Sequence, residues 1–389
     1  MSGTARIVVV GGGIVGASAA YHLAREGASV LIAEGGEAGT ATAAGAGIIC
    51  PWTVPADGPS YRLAAEGAAY YPELVALLAE DGQDHTGYAR VGGVCVADDG
   101  ARLDLMEARL RSRLGGAPQI GQVEILPAGG ARELFPPLAP GLGAVWVGGA
   151  ARVDGRAMRD SLLRAAVARG ARLIPSAASL TGAGGRVTGV TAGSERIEAD
   201  LVLVAAGAWT AQVCQGVAPD LQIGPQRGQI VHLDLPGRDT SGWPVVLPSS
   251  DPYLLAFPES RVVLGATREQ VGFDHRVTAG GVSRLLDGAL AVAPGLADAT
   301  IAEVRAGFRP VTGDGAPLLG PLSDGLVVAA GNGAEGLTAG PLTGRLAAAL
   351  ALAGPVPDYI TRFHPARATG ASAVQDRLRS AAYAPPCPR

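Results

Sequence analysis

The segment at residues 6–16, RIVVVGGGIVG, constrains the possible folds of this chain more than any other. It begins with a β-branched run of the kind found in strands that are buried on both faces. The run leads into the pattern G-x-G-x-x-G, with glycines at Gly11, Gly13 and Gly16. In such a turn the first glycine permits the tight bend, and the second lets a pyrophosphate approach the backbone. The third lets the following helix pack closely on the strand, so the segment predicts a strand, a phosphate-binding turn and a helix start.

The residues after the glycines complete a strand–helix–strand unit. Helix formers occupy residues 17–26, Gly27 ends the predicted helix, and a second predicted strand at residues 29–33 leads to Glu34. The helix N-terminus offers free N–H groups to phosphates, and an acid about 20 residues further on can accept hydrogen bonds from a ribose diol. This order of elements predicts a dinucleotide site. A glycine-rich turn in an ordinary βαβ unit is the alternative.

Length and charge bound the class of protein. A chain of 389 residues suggests about two to three domains and has ample material for a core. The formal net charge of −4 argues against a surface for nucleic acid or anionic membranes. All 31 basic residues are arginines, and the absence of lysine excludes Schiff-base chemistry and a lysine base.

Metal sites, disulfide frameworks and membrane segments are not expected. Cys50, Cys95, Cys214 and Cys387 lie far apart, and the five histidines lack ligand spacing. No apolar run approaches the ~20 residues that span a bilayer, and the apolar N-terminus is a predicted strand rather than a signal peptide. We therefore expect a soluble, cytoplasmic protein without a transmembrane segment or a nucleic-acid partner.

The rest of the chain alternates between helical and strand patterns. Residues 61–81 have the apolar spacing of an amphipathic helix, which Pro72 is expected to kink or split. Asp154 is expected to cap the helix that follows it. Residues 222–306 contain alternating strand patterns and a helical pattern at residues 281–291. This predicts a mostly antiparallel sheet with a covering helix.

Several further segments carry a resemblance to a known family. They are residues 35–52 (GGEAGTATAAGAGIICPW), 200–209 (DLVLVAAGAW), 226–229 (QRGQ), 307–320 (GFRPVTGDGAPLLG) and 331–341 (GNGAEGLTAGP). Together with the first strand–turn–helix, they resemble the D-amino-acid oxidase (DAO-type) family of FAD-dependent amine oxidoreductases, especially its glycine oxidase and bacterial D-amino-acid dehydrogenase branch. The resemblance implies a fold of class α/β plus α+β. It would combine a Rossmann-like FAD-binding domain of the GR2 type with an inserted, mostly antiparallel-sheet substrate domain.

The implied domains are discontinuous along the chain. The expected FAD-binding domain comprises residues 1–87, 151–221 and 307–369, and the expected substrate-binding domain comprises residues 88–150 and 222–306. Residues 370–389 are expected to form a loose C-terminal tail.

FAD suits this chain better than NAD, because the dinucleotide domain is interrupted twice and several glycine-rich turns would return to one place. In the family, the small-residue segment wraps the diphosphate and the flavin, and here Thr42 adds a hydroxyl for phosphate. The N-terminus of the last helix would point N–H groups at the flavin and favour its reduction. The cofactor contacts predicted in this way are Gly11, Gly13, Ile14, Val15, Gly16, Glu34, Gly35, Thr42, Ala43, Gly47, Ile48, Gly207, Trp209, Gly331, Asn332, Gly333, Gly336, Leu337 and Thr338.

Arg309 and Tyr253 are the candidate substrate-binding residues. A guanidinium can hold a carboxylate through two parallel hydrogen bonds, and the neighbours of Arg309 resemble the family's carboxylate-binding segment. Tyr253 would place a phenol hydroxyl on the same carboxylate, although a core tyrosine would give the same pattern. The resemblance further implies hydride transfer from the substrate Cα to flavin N5. The imine product would then hydrolyse to an oxo acid and ammonia or an amine.

The chain departs from the family pattern at several points. Asn332 stands where many members have histidine, and Ala334 and Glu335 occupy a turn in which some members place a second carboxylate-binding arginine. A solvated loop is the expected setting for Glu335, with contact to a basic group or amine as the alternative. Certain family members attach FAD covalently through a cysteine that follows the arginine segment. This chain has no cysteine there, so FAD is expected to be bound non-covalently. The lysine that promotes reaction with oxygen in other members is absent.

Three functions stay open. The first is an oxidase that acts on glycine, sarcosine or a small D-amino acid and passes electrons to O₂. The second is a dehydrogenase that passes electrons from the same half-reaction to a quinone or carrier protein. The third is a flavin-binding sensor or partner subunit without turnover, against which Arg309 and Tyr253 argue. A homo-oligomer is compatible with all three.

Overall fold

The computed structural model describes residues 4–183, 185–249 and 252–369. The tail predicted at residues 370–389 lies outside the described residues. The helices are α1 (Ile14–Arg25), α2 (Ala41–Ala44), α3 (Pro59–Glu80), α4 (Gly100–Arg113), α5 (Gly130–Leu134), α6 (Gly155–Ala168), α7 (Thr210–Val213), α8 (Ala279–Val292) and α9 (Gly336–Ala351). The strands are β1 (Arg6–Val10), β2 (Ser29–Ala33), β3 (Ile48–Ile49), β4 (Tyr88–Arg90), β5 (Gly93–Ala97), β6 (Val123–Leu126), β7 (Gly143–Val147), β8 (Ala151–Val153), β9 (Arg172–Ile174), β10 (Ala178–Ala183), β11 (Arg186–Ala192), β12 (Glu195–Glu198), β13 (Leu201–Val204), β14 (Ile223–Asp234), β15 (Val245–Pro248), β16 (Tyr253–Phe257), β17 (Arg261–Gly265), β18 (Thr300–Thr312), β19 (Leu318–Ser323) and β20 (Leu326–Ala330).

A six-stranded sheet forms the first layer, in the order β19-β20-β13-β1-β2-β9. Its pairs are parallel except β19-β20, and its central strands are almost fully buried, which explains their continuous apolar sequences. Helix α1 connects β1 to β2 and packs against α6 and α9. This arrangement is the predicted Rossmann-like unit. It brings the carboxyl ends of β1, β2, β13 and β20 to one edge of the sheet.

Two glycines in α9 let that helix pack closely on α1. A Cβ on Gly340 would lie 2.7 Å from Cγ2 of Ile14, and a Cβ on Gly344 would overlap the carbonyl oxygen of Val15. Because α1 and α9 each follow a parallel strand, both helices begin at the same edge of the sheet. Their N-termini are therefore available to a single site.

An eight-stranded sheet forms the second layer, in the order β18-β14-β17-β16-β15-β5-β7-β6. All of its pairs are antiparallel except β15-β5, and α8 covers part of one buried face. This is the predicted antiparallel sheet with its covering helix. Strand β18 stays paired with β14 as far as Thr312, opposite Ile223, so the boundary expected between residues 306 and 307 falls inside a strand.

Two smaller sheets complete the described structure: β10-β11-β12 and β3-β8-β4. Strand β10 lies at residues for which the sequence predicted no strand, and β15 lies within the region of alternating strands without having been predicted individually. Helix α3 runs without interruption through Pro72, so the expected split does not occur. Proline removes one backbone hydrogen bond, and the buried residues Tyr71 and Leu74 on either side of it hold the helix against the core. Asp154 caps α6 as predicted, accepting hydrogen bonds from the N–H groups of Arg156 (3.0 Å) and Ala157 (3.2 Å).

Within residues 4–183, 185–249 and 252–369, no helix combines the length and apolar character needed to cross a membrane. The same ranges contain no group of three or more His, Cys, Asp or Glu side chains that could hold a metal ion.

Candidate active site

The two large sheets share a cavity of about 520 Å³. The carboxyl edge of the six-stranded sheet supplies one side of it, through the turns that follow β1, β2, β13 and β20. Residues of β14, β15, β16 and β18 from the eight-stranded sheet supply the other side. Any ligand in this cavity therefore contacts both layers of the fold.

The glycine turn between β1 and α1 lines the cavity. Gly11 has a φ of 101°, and a Cβ there would lie 2.5 Å from the carbonyl oxygen of Ala205. A Cβ on Gly16 would overlap the carbonyl oxygen of Gly11, so α1 packs against the turn as the sequence predicts. The nearest neighbour of a Cβ on Gly13 would be the Thr42 hydroxyl, at 3.4 Å. The turn thus keeps backbone open to a ligand.

Thr42 lies beside the N-terminus of α1. Its hydroxyl oxygen accepts a hydrogen bond from the backbone N–H of Ile14 at 2.9 Å, and both residues line the cavity. The first turn of α1 contains no acidic residue. The positive end of the helix dipole therefore faces a wall that suits a phosphate.

Glu34 follows β2 and reaches back to the same turn. Its carboxylate accepts a hydrogen bond from the backbone N–H of Gly12. A Cβ on Gly12 would lie 2.8 Å from Oε2 of Glu34, so glycine at this position leaves room for the carboxylate. Glu34 and the adjacent Gly35 line the cavity at the place where the sequence predicted a ribose-binding acid.

Three more glycine-rich turns reach the same cavity. Gly47 (φ 99°) precedes β3, Gly207 (φ 55°) follows β13, and Gly331 (φ 83°) follows β20. A Cβ on Gly47 would overlap the carbonyl oxygen of Val153, which makes glycine necessary there on two counts. The other predicted cofactor residues that line the cavity are Val15, Ile48, Trp209, Asn332, Gly333, Gly336 and Leu337.

Gly16, Ala43 and Thr338, three of the predicted cofactor contacts, do not line the cavity. Gly16 packs against the carbonyl oxygen of Gly11 within the same turn. The carbonyl of Ala43 accepts a hydrogen bond from Nε of Arg156 at 3.1 Å. The hydroxyl of Thr338 donates to the carbonyl of Ile48 at 3.0 Å, which holds β3 against α9. These three residues lie behind the residues that line the cavity.

Asn332 is buried in the turn after β20. Its Oδ1 accepts a hydrogen bond from the Thr343 hydroxyl at 3.4 Å, whereas its Nδ2 has no hydrogen-bond partner among the described residues. Buried polar groups are normally paired. A buried donor of this kind in a cavity-lining residue is what a bound ligand or water would complete.

Arg309 lies in β18 and Tyr253 in β16 of the eight-stranded sheet, with β14 and β17 between the two strands, and both residues line the cavity. Nη1 of Arg309 donates to the carbonyl of Thr267 at 2.9 Å. Tyr253 is half-buried rather than enclosed in the core, and its ring covers Gly265, where a Cβ would lie 2.8 Å from Cε2. The structure thus brings the two candidate substrate-binding residues to one side of the cavity.

Arg268 and Gln212 are polar cavity residues that the sequence analysis missed. Arg268 follows β17 and is exposed, and Gln212 lies in the short helix α7. Neither has a local sequence pattern, because each reaches the cavity only through the pairing of distant strands.

The expected solvated setting of Glu335 is wrong. Glu335 is half-buried and lines the cavity immediately before α9. Burial raises the pKa of its carboxyl group above the usual value of 4.5, and a hydrogen bond with Thr338 acts in the opposite direction. Burial likewise raises the pKa of the nearby Cys50 thiol, so this cavity residue lacks the thiolate character of a nucleophile.

Aromatic side chains pack together beside Arg309. Trp209 stacks on Phe273 with ring centroids 5.1 Å apart, and Phe308 meets both rings edge-on. Trp209 and Phe308 line the cavity, while Phe273 is 39% exposed. The cluster gives this part of the wall an apolar surface.

The residues present fit a dinucleotide whose length runs from one sheet to the other. The glycine turn, Thr42 and the start of α1 suit its phosphates, Glu34 suits a ribose, and the start of α9 suits an electron-accepting ring. The fold and the cavity therefore define a dinucleotide-dependent oxidoreductase in which a second, mostly antiparallel sheet completes the cavity.

Comparison with known proteins identifies the family. The model of the DAO family, FAD dependent oxidoreductase, matches residues 6–350. The chain belongs to this family, so it is an FAD-dependent oxidoreductase that acts on a small molecule and needs an electron acceptor.

Individual relatives agree with this assignment. The chain is 47% identical over 350 residues to the uncharacterized oxidoreductase YurR of Bacillus subtilis, and the alignment covers 89% of this chain and 94% of YurR. It is 32% identical over 356 residues to the glycine oxidase of Geobacillus kaustophilus, and the alignment covers 88% of this chain and 92% of the glycine oxidase. The crystal structure of iminodiacetate oxidase (IdaA) from Chelativorans sp. BNC1 matches with a TM-score of 0.89 and 48% identity, covering 92% of this chain and 99% of that one. The predicted family and fold class are confirmed.

Proposed function

We propose that this enzyme oxidises the C–N bond of a small amine that carries a carboxylate group. The observation that carries the proposal is that Arg309 and Tyr253 line the same cavity as the glycine turn. An oxidisable amine held by its carboxylate would thus lie in the same cavity as the cofactor. The relatives named glycine oxidase and iminodiacetate oxidase make N-substituted glycines the first candidates, with glycine, sarcosine and small D-amino acids as the wider class.

Arg309 binds the substrate carboxylate in this proposal. Its guanidinium donates to the carbonyl of Thr267, and the forked N–H groups of a guanidinium match the two oxygens of a carboxylate. Tyr253 adds a phenol hydroxyl from β16 of the same sheet. The aromatic wall formed by Trp209 and Phe308 limits water around the reacting carbon.

Bound FAD supplies the acceptor for the hydride that leaves the carbon next to nitrogen. The N–H proton passes to water, a C=N bond forms, and addition of water then breaks the original C–N bond. The products are an oxo acid and ammonia or an amine. Positioning by Arg309 and Tyr253 supplies the protein's part of the catalysis, since no proton-transferring dyad is required.

A turnover assay tests the proposal. Purified holoenzyme is mixed in air with glycine, sarcosine, iminodiacetate and a panel of D-amino acids, and the oxo acid and peroxide are measured. Dimethylamine and methylamine, which lack the carboxylate, are the matched controls. We expect oxo acid from at least one carboxylated amine, and neither peroxide nor formaldehyde, which oxidation of the controls would give, from dimethylamine or methylamine. Oxo acid formation that requires an added quinone or carrier would identify a dehydrogenase, and turnover of the controls alone would contradict the proposal.

A further inference from the structure

We infer that Arg113, which lies outside the cavity, is a positioning residue for the active site. Its guanidinium holds residues 52–57, the 52–57 segment, in the conformation that closes one side of the cavity. Arg113 thereby acts on substrate binding through the backbone of this segment, without touching the substrate. Because the kinetic effect concerns the substrate, this role rests on the proposed function.

The 52–57 segment connects β3 to α3 and lines the cavity through Thr53 and Val54. It begins at the buried Trp52 and becomes exposed from residue 55 onward. Across the part of the chain that the structure describes, the carbonyl groups of Trp52, Val54 and Ala56 accept no hydrogen bond from another backbone group. Side chains must therefore satisfy these carbonyl groups and fix the path of the segment.

The guanidinium of Arg113 supplies these bonds from the last turn of α4. Its Nη1 donates to the carbonyl oxygens of Trp52 and Val54, each at 2.7 Å. Its Nη2 donates to the carbonyl oxygen of Ala56 at 2.9 Å and to Oδ1 of Asp57 at 2.6 Å. Each of these nitrogens carries two hydrogens, so every Nη–H group of Arg113 is engaged with this one short segment.

Packing around Arg113 keeps the guanidinium in this geometry. Its side chain is only 10% exposed, and Cζ lies 4.1 Å from the centroid of the Tyr61 ring in α3. Arg109, one turn earlier in α4, adds a single bond from Nη1 to the carbonyl of Thr53 at 3.0 Å. A lysine could not replace Arg113, because an ammonium group lacks the planar fork of donors.

Helix α4 ties the 52–57 segment to the second layer of the fold, since α4 packs against β5, β6 and β7 of the eight-stranded sheet. On its other side the segment follows β3, which is held against α9 by the 3.0 Å bond from Thr338 to Ile48. The cavity wall at Thr53 and Val54 thus keeps its place relative to the eight-stranded sheet through Arg113. Loss of the guanidinium should release this wall.

Alkylation of Cys50 measures the release directly. Cys50 lines the cavity just before the segment and is only 4% exposed, and Cys95 and Cys214 are buried elsewhere as internal references. Holoenzymes of wild type, Arg113→Met and Arg111→Met are treated with iodoacetamide, and each cysteine peptide is followed by mass spectrometry. We expect Arg113→Met to raise the labelling rate of Cys50 at least about tenfold and to leave Cys95 and Cys214 unchanged.

Arg111 is the matched control in the same helix. Its side chain is 54% exposed and bonds to Glu107 and to the carbonyl of Val123 instead of the segment, so Arg111→Met should label like wild type. A wild-type labelling rate of Cys50 in Arg113→Met would overturn the inference.

Arg113→Lys, which keeps the charge but cannot form the four bonds, decides the case in which Arg113→Met labels all three cysteines alike. A selective rise at Cys50 in the lysine variant supports the positioning role, and a wild-type rate there overturns it.

Steady-state kinetics with a carboxylated amine that the wild type oxidises give a second readout. We expect Arg113→Met to raise KM at least about fivefold and to leave kcat within about twofold, because the segment shapes the site without touching the reacting atoms. A fall in kcat with an unchanged KM would contradict this role. If no carboxylated amine is oxidised, the proposed function fails, and the labelling of Cys50 still decides whether Arg113 holds the wall.

Discussion

The guanidinium of Arg309 occupies the space that a side chain on Gly228 would fill. A Cβ on Gly228 would lie 2.6 Å from Nη1 and 2.8 Å from Cζ of Arg309. Strands β14 and β18 are paired here, with Gly228 opposite Gly307, so the arginine crosses over its neighbouring strand at a position without a side chain. The position of the Arg309 guanidinium, the predicted carboxylate-binding group, therefore depends on the absence of a side chain at Gly228.

Gly228→Ala should displace Arg309 while leaving its charge in the protein. We expect KM for carboxylated amines to rise at least about tenfold, equivalent to about 1.4 kcal/mol, with FAD content unchanged. Gly224→Ala is the matched control in the same strand, because a Cβ there would meet no atom within 4 Å. Steady-state kinetics of the two variants check the prediction. Equal kinetics in both would show that the guanidinium does not depend on Gly228.

Arg309→Ala should have the same direction of effect through loss of the guanidinium itself. Since a carboxylate would lose its charged partner, KM should rise at least about tenfold for carboxylated amines. Tyr253→Phe, which removes only the phenol hydroxyl, should have a smaller effect of the same sign. Wild-type kinetics in Arg309→Ala would remove this residue from the substrate site.

Thr42→Val should weaken FAD binding. The valine keeps the shape of the side chain but leaves the backbone N–H of Ile14 without its 2.9 Å acceptor, a loss of about 1 kcal/mol or more. The dissociation constant for FAD, measured by fluorescence of the released cofactor, should rise at least about fivefold. Thr361→Val, at an exposed threonine, serves as the control and should leave the constant unchanged. An unchanged constant in Thr42→Val would mean that the contact does not shape the cofactor site.

Glu335→Gln should stabilise the protein more at high pH than at low pH. Burial raises the pKa of Glu335 in the folded state, so the folded protein keeps this proton to a higher pH than the unfolded chain. Stability from this group is present below the unfolded value of 4.5 and is lost as the pH rises through the folded pKa. The difference in Tm between variant and wild type should therefore be larger at about pH 8 than at about pH 4. A difference that stays constant between these pH values would contradict the buried setting.

The strand–turn–helix at the N-terminus could be predicted because its signals are local. The β-branched run, the spaced glycines and Glu34 lie within one short segment, and each has a direct physical consequence in the structure. The eight-stranded sheet was predicted in kind but not in detail. Strand β15 is only four residues long and pairs in parallel with β5 from far earlier in the chain, and such pairing leaves no periodic trace in the sequence.

The site residues also differ in whether a local sequence signal or only the tertiary structure reveals them. Arg309 could be proposed because its neighbours match a family segment, and Tyr253 was proposed as a second contact for the same carboxylate because of its phenol hydroxyl. Arg268 could not, because an arginine just after a strand is ordinarily a surface residue and its cavity position depends on how β17 pairs. Glu335 was assigned to solvent by the same rule. Its burial results from the meeting of the last turn with the second sheet, which only the tertiary structure specifies.

The absorption spectrum of the purified protein under anaerobic conditions shows whether carboxylated amines reduce its flavin. We predict a yellow FAD protein whose visible absorption is bleached by iminodiacetate, sarcosine or another carboxylated amine, and is not bleached by dimethylamine. A protein that holds FAD but is bleached by no carboxylated amine would contradict the proposed reaction at this site.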